Sequence, residues 1–230
     1  TIVGNLKGKR FTVISTGIGP DNIDIVLNEI DALVNIDLET RTVKPELTSL
    51  QIVRMGTSGS LHEDIPVDAI VLGTHGLGLD GVLHSYDNKD IFETELENAF
   101  IDHCNYAEQK SRPYIVRNSP ILEKKMMSDE IFSGITATAG GFFGPQGRIL
   151  RLALQDNHLN KKIETFRHNQ LIISNLEMET SVIYGLSKLM GHQAVSMNAI
   201  IGNRANLTFS KDPYATVEKM IAYSLDKLTA

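Results

Sequence analysis

Two carboxylates one residue apart, Glu177 and Glu179 on either side of Met178, stand where an apolar run gives way to a helical pattern. Acids in a first helical turn answer the helix dipole. A carboxylate placed there can also accept hydrogen bonds from the paired 2′- and 3′-hydroxyls of a sugar. A second set, Arg54-Met55-Gly56-Thr57-Ser58-Gly59-Ser60, puts an arginine at an expected strand end, ahead of small hydroxyl residues and glycines. A guanidinium fork, hydroxyls and free backbone N–H groups suit an isolated phosphate, so this stretch reads as an anion loop in preference to a polar turn. A third, Gly140 to Arg148, joins Phe142 and Phe143 to Gln146 and Arg148. An aromatic face can stack on a base while the amide and the guanidinium reach a heterocycle edge. Taken alone, however, the loop reads better as two core phenylalanines with a solvated Arg148. Thr16 to Asn22 reads equally as a plain turn or as a loop that lets backbone approach a ligand closely, and it offers Asp21 or Asn22 as a helix cap. It lacks the third glycine of a dinucleotide fingerprint. Asn203 and Arg204 add a polar pair just after the apolar Ala199-Ile200-Ile201.

Elements that alternate between strand and helix must position these groups. Phe11 to Thr16 is a β-branched run, and Ile23, Val26, Leu27, Ile30 and Leu33 then recur at helical spacing. Strands are expected at residues 50–55, 68–72, 131–138, 171–174 and 194–201. Helices are expected at 92–107, 177–190 and from about residue 212 to the end. Continuous apolar strands between helices imply a sheet covered on both faces. The expected fold is α/β, a single domain over 1–230 with a mixed, mostly parallel central sheet flanked by helices. Ligands of such sheets sit at the carboxyl ends of strands. The most polar stretch, Asp87 to Glu97, reads as a solvated loop and helix face.

With 22 Lys and Arg against 28 Asp and Glu, a net charge of −6 argues against nucleic acid as a partner, since neutralising many phosphates takes a basic face. The single Cys104 excludes an intrachain disulfide and fits a reduced, cytoplasmic protein. No apolar run approaches 18 residues, so a membrane is not an expected partner. His75, His84, His103 and His158 have no second ligand at metal spacing, and no metal is expected.

Taken together and in order, these stretches resemble the nucleoside phosphorylases, and among them the uridine phosphorylases. Ser15-Thr16-Gly17-Ile18-Gly19 is similar to the family's first sheet-to-helix turn, Arg54 to Gly59 to its phosphate loop, and Leu79-Asp80-Gly81 to a tripeptide after a strand. Phe142 to Arg148 is similar to its uracil loop, Glu177-Met178-Glu179 to its ribose motif and Asn203-Arg204 to a further part of its base pocket. The resemblance implies phosphorolysis of uridine, and of deoxyuridine or thymidine, to uracil and a ribose 1-phosphate: a pentosyl transfer of pyrimidine salvage. It implies that Arg54, Gly56 and Thr57 bind the attacking phosphate, with Thr57 also near the sugar. Glu177, Met178 and Glu179 would hold the ribose, and Phe142, Gln146, Arg148 and Arg204 the base. Arg54, Thr57, Arg148 and Glu179 would be the catalytic set.

No cofactor is implied beyond inorganic phosphate as co-substrate. A monovalent cation is the one ion to consider, at the first turn, where Gly19-Pro20-Asp21-Asn22 departs from the family's Gly-Gly-Pro-Ser. The implied partners are a nucleoside, phosphate and further copies of the chain, as a dimer or a trimer of dimers. The sequence opens on what resembles the family's second strand. A preceding Gly-Asp-Pro phosphate loop with its arginine is therefore expected to be absent from it, as are an arginine and a histidine lent to a neighbouring subunit. Two other activities fit the same fold, a nucleosidase that uses water and a non-catalytic nucleoside-binding or storage protein.

Overall fold

A computed structural model describes residues 1–87 and 90–230. In chain order the elements are β1 (Ile2–Leu6), β2 (Lys9–Val13), α1 (Pro20–Asn35), β3 (Ile36–Asp37), β4 (Thr42–Val43), β5 (Gln51–Ser60) and β6 (Ile70–Gly78). There follow α2 (Thr94–Cys104), β7 (Tyr114–Arg117), α3 (Pro120–Met126), β8 (Phe132–Thr138), α4 (Leu159–Thr165), β9 (Arg167–His168) and β10 (Leu171–Glu177). The chain ends with α5 (Thr180–Leu189), β11 (Gln193–Asn203), β12 (Thr208–Phe209) and α6 (Pro213–Thr229). The α/β class and the large mixed sheet expected from the sequence are present.

The central sheet runs β12-β11-β5-β10-β8-β6-β7, with β9 on β10. Its two longest pairings, β11 with β5 and β6 with β8, are parallel. Strand β6 also bonds β11, antiparallel through Ser196–Ala199, so the path β11-β5-β10-β8-β6 returns upon itself as a closed ring. Every residue of β6 is buried, because it is walled by strands and by α5. Gly76 permits the approach of that helix: a Cβ there would lie 2.6 Å from the Cα of Ser181. The first turn of α5 is thereby pressed against the sheet. Cores of Ile, Leu and Phe fill the layers between sheet and helices, one under α2 and α4, one under α1 and α5, and one under α3 and α6.

Four expectations need correction. Arg54 to Ser60 is not a loop after a strand but the last seven of the ten residues of β5, which stays paired with β11 to its last residue. Glycines and hydroxyl residues carry turn propensity, yet a long parallel partner overrides it. Glu177 does not start a helix: it ends β10, and α5 begins at Thr180. Phe11 to Thr16 does not enter the central sheet; β2 pairs only with β1 as a largely exposed hairpin. The polar stretch Asp87 to Glu97 is not wholly solvated, since Glu97 is buried and accepts the Ile115 N–H; residues 88 and 89 of it lie outside the described residues. Three short elements, β7, α3 and α4, had no periodic signal of their own.

Candidate active site

Arg54 lies midway along β5 with its side chain folded back over Gly56. A Cβ at Gly56 would stand 2.6 Å from the guanidinium carbon, so glycine is what allows this course. One terminal nitrogen, Nη2, is 2.6 Å from Glu179 Oε2 and 2.9 Å from Glu177 Oε2. The other, Nη1, donates to Asn198 Oδ1 at 2.8 Å and to Ser196 Oγ at 3.3 Å. Burial opposes the arginine's charge, but the Glu177 and Glu179 carboxylates outweigh it and hold its pKa above the ordinary value.

Glu177 is the anchored member of this knot. It accepts from the Thr138 hydroxyl at 2.7 Å and from the N–H groups of Glu179 and Thr180 at 2.9 and 3.0 Å. From the end of a strand it thus satisfies the free N–H groups of α5. Burial pushes its pKa up, and Arg54 pulls against that shift. Glu179, one turn nearer the surface, accepts the Gly19 N–H at 2.7 Å on its second oxygen. Met178 reaches the same turn, its Cε 3.9 Å from the position of a Gly19 Cβ. The first glycine turn therefore contributes a backbone donor.

Thr57 is not brought to this knot. The register between β5 and β11 runs unshifted from Gln51 to Ser58, so side chains three residues apart face opposite ways. Arg54 shares its face with Ser196 and Asn198, whereas Thr57 lies opposite Ala199 and is exposed.

A second cluster forms at the far end of β5. Arg204 follows β11, tied by its N–H to the Ser60 carbonyl. Its guanidinium donates to the backbone carbonyl of Gln146 at 2.8 Å and to Gln146 Oε1 at 2.9 Å. Arg148 donates to the same Oε1 at 2.5 Å and to the Phe142 carbonyl at 2.7 Å, with its guanidinium 3.9 Å from the Phe142 ring centre. Burial, and then the neighbouring Arg148 charge, draw Arg204 down to about 10. Phe142 and Phe143 are each half exposed, which removes the core reading of that pair. Asn203 is buried as a structural ligand, donating to the carbonyls of His62 and Ile65, and does not join Arg204.

Both clusters border β5 and differ in charge: one guanidinium against two carboxylates around Arg54, two guanidinium groups and an amide around Gln146. Within each cluster the groups are bonded to one another. A cavity of about 390 Å³ lies beside this loop, between Pro145, Tyr106 and Leu154, and none of the residues named above as ligands lines it.

Sequence reasoning missed Thr138, Ser196 and Asn198. For the last two a signal existed: Ser196 and Asn198 alternate with Val195, Met197 and Ala199 in a strand that is otherwise apolar, and polar residues at period two in a buried strand need a shared partner.

Residues 1–227 match the family model described as the phosphorylase superfamily. A curated uridine phosphorylase of Thermococcus kodakarensis is 24% identical over 92% of this chain, which spans 64% of that protein. A purine nucleoside phosphorylase of Oceanobacillus iheyensis is 23% identical over 98% of this chain and 78% of its own length. Among solved structures, a Trypanosoma brucei nucleoside phosphorylase described as showing uridine phosphorylase activity superposes with a TM-score of 0.86 at 28% identity, covering 98% of this chain and 82% of that one.

Proposed function

The chain belongs to the phosphorylase superfamily, and from that premise we propose that it cleaves the N-glycosidic bond of uridine, and of deoxyuridine or thymidine, with inorganic phosphate as nucleophile. The observation that carries this reading is the base end of the site, where Arg148, Arg204 and the Gln146 amide converge with no carboxylate among them. Relatives that act on uridine and on purine nucleosides match about equally well, so chain similarity alone does not choose the base. A uracil leaves as an anion with its charge on the carbonyl oxygens, which guanidinium donors stabilise. A purine leaving group calls instead for a proton from an acid near the base.

In the reaction the C1′–N1 electron pair departs with the base, and a phosphate oxygen forms the new bond at C1′, giving ribose 1-phosphate. Positive charge grows on the sugar and negative charge on the base. Donors aimed at the base oxygens therefore act more strongly in the transition state than in the bound substrate. Arg148 and Arg204 have that task, Gln146 fixes them, and Phe142 offers a face to the base. Glu179 holds the ribose hydroxyls, Met178 packs beside the sugar, and Glu177 holds both Arg54 and the start of α5. Arg54 positions the phosphate, a contribution of proximity and not of covalent chemistry. Thr57 takes no part in this scheme. Phosphate is the second substrate, and the scheme uses no cofactor.

Uracil release from uridine, followed with and without added inorganic phosphate, tests the reading. Strict dependence on phosphate with formation of ribose 1-phosphate is expected. Release at full rate in phosphate-free buffer would establish hydrolysis, a second reading favoured by the excess of carboxylate around Arg54. Cleavage of inosine in place of uridine would overturn the base assignment. A homo-oligomer, as a dimer or a trimer of dimers, belongs to the same proposal, supported by the exposed Ile2, Val3 and Val13 on the hairpin. Light scattering at the mass of one chain would remove it. No helix among the described residues is long and apolar enough to cross a membrane, in keeping with a cytoplasmic place for such an enzyme.

A further inference from the structure

Arg54 is occupied before any phosphate arrives. A guanidinium has five N–H donors, of which four are on its two terminal nitrogens. Here Nη1 donates to Asn198 and Ser196, and Nη2 donates to Glu179, with Glu177 in ion-pair contact at 2.9 Å. A phosphate oxygen that approaches these nitrogens competes with their partners, and it gains the Nη2 donor now given to Glu179 only if that carboxylate lets go.

Three of them are fixed. Asn198 and Ser196 lie within β11 and are fully buried, and Ser196 is further bound to Thr180 and, through its N–H, to the Tyr184 hydroxyl. Glu177 is held by Thr138 and by two backbone N–H groups, with a side chain 2% exposed. Glu179 differs in both respects. Its side chain is 11% exposed, and apart from Arg54 its only hydrogen-bond partner among the described residues is the Gly19 N–H.

We propose that Glu179 is a latch on Arg54, released by the ribose itself, so that nucleoside and phosphate bind with strong positive coupling. This rests on the reading of Glu179 as the ribose ligand. The vicinal hydroxyls of a ribonucleoside offer two O–H donors to the two carboxylate oxygens that now receive Gly19 and Arg54. As they take over, Nη2 loses its shortest partner and turns an N–H towards an incoming oxyanion. Without the sugar, a phosphate dianion meets an arginine already outnumbered by two carboxylates, and it binds weakly. With the sugar in place it meets an arginine whose Nη2 donor has been released from Glu179. Because coupling of binding is reciprocal, phosphate must tighten the nucleoside by the same factor.

The test is calorimetric titration of the full chain with inorganic phosphate, alone and with saturating pseudouridine, whose C–C glycosidic bond cannot be phosphorolysed. The phosphate Kd is expected to fall by about tenfold or more, within the range common for coupled sites. Pseudouridine is expected to tighten by the same factor when phosphate is present. With the 2′-deoxy analogue of pseudouridine, which has one donor fewer, the coupling should shrink. In Glu179→Gln the latch has lost its charge, so phosphate alone should bind more tightly than in the parent protein and the coupling should vanish. If phosphate and pseudouridine both bind, each with an affinity the other does not change, the latch is wrong while the assignment of the two sites stands. If pseudouridine fails to bind, the ribose assignment falls and the latch with it. Both arms use the unaltered protein, so a misfolded variant would not hide either result.

Discussion

The knot around Arg54 and the clasp around Gln146 hold their arginines in two different ways. In the knot, charges are buried on strands and matched in advance: Arg54 faces Glu177 and Glu179, and the start of α5 depends on the same carboxylate. In the clasp, two arginines share one amide oxygen on a loop, Arg148 rests on a half-exposed ring, and no opposing charge is built in. A buried ion pair resists loss of one partner far more than its formation stabilises the fold. The knot therefore carries architecture as well as chemistry, whereas the clasp carries chemistry at little structural cost.

Removing Arg54 would sharpen that contrast most. Arg54→Ala leaves two buried carboxylates facing each other, with an expected loss of about 3–5 kcal/mol in unfolding free energy, read by denaturant titration, and no measurable turnover. A loss below about 1 kcal/mol would break the comparison. Arg148→Ala should do the reverse: turnover on uridine falls about 10² to 10³-fold, as when one transition-state donor is removed, while stability changes by less than about 1 kcal/mol. Gly56→Ala touches neither set directly but drives a methyl group into the guanidinium. It should cost about 1–3 kcal/mol by overpacking and weaken phosphate binding, while leaving uridine binding near the parent value.

Acidity separates the two regions further. Burial raises the Glu177 pKa, so as pH falls Glu177 protonates before an ordinary carboxylate would, and Arg54 loses one of its two charged partners. Activity should begin to fall above the usual carboxylate range, and Glu177→Gln should flatten that acid limb. The linked stability has a definite sign. With the folded pKa above the unfolded one, the folded state holds more protons in the window between them, so this group's contribution falls as pH rises through that window. The smallest effect is expected from Phe142→Ala, which removes the ring beneath Arg148, an exposed cation–π contact worth about 0.5–1 kcal/mol. It should show as a few-fold change in KM for uridine at constant melting temperature.

Much of the candidate site's two clusters is legible in the sequence: Arg54, Glu177, Glu179, Gln146, Arg148 and Arg204 are all marked by residue type and by place, at the ends of apolar runs or in glycine-rich stretches. Two of them have a different local setting from the one their sequence suggests. Gly56, Ser58 and Gly59 look like turn residues and place Arg54 at a strand end, and acids favour first turns and place Glu177 in a helix, but a pairing partner elsewhere in the chain decides both: β11 for Arg54, and β8 for Glu177 through Thr138. Thr57 is parted from Arg54 for a related reason, since a loop can turn side chains three residues apart to one side and an unbroken strand turns them to opposite faces.

By itself the sequence determined which residues can bind charge, where helices and strands alternate, and that Ser196 and Asn198 share a face, because each depends on side-chain chemistry and on periods of 3.6 or two residues along the chain. Only the tertiary structure decided what Arg54 meets. Its partner Glu179 is 125 residues away and Arg204 is 58 residues from Gln146, and nothing in a local pattern encodes which distant groups a closed sheet will bring within 3 Å. The number of carboxylates around an arginine sets whether it waits free for an anion or must first be released, and that number follows from the closure of β5, β10 and β11 and from the docking of α5.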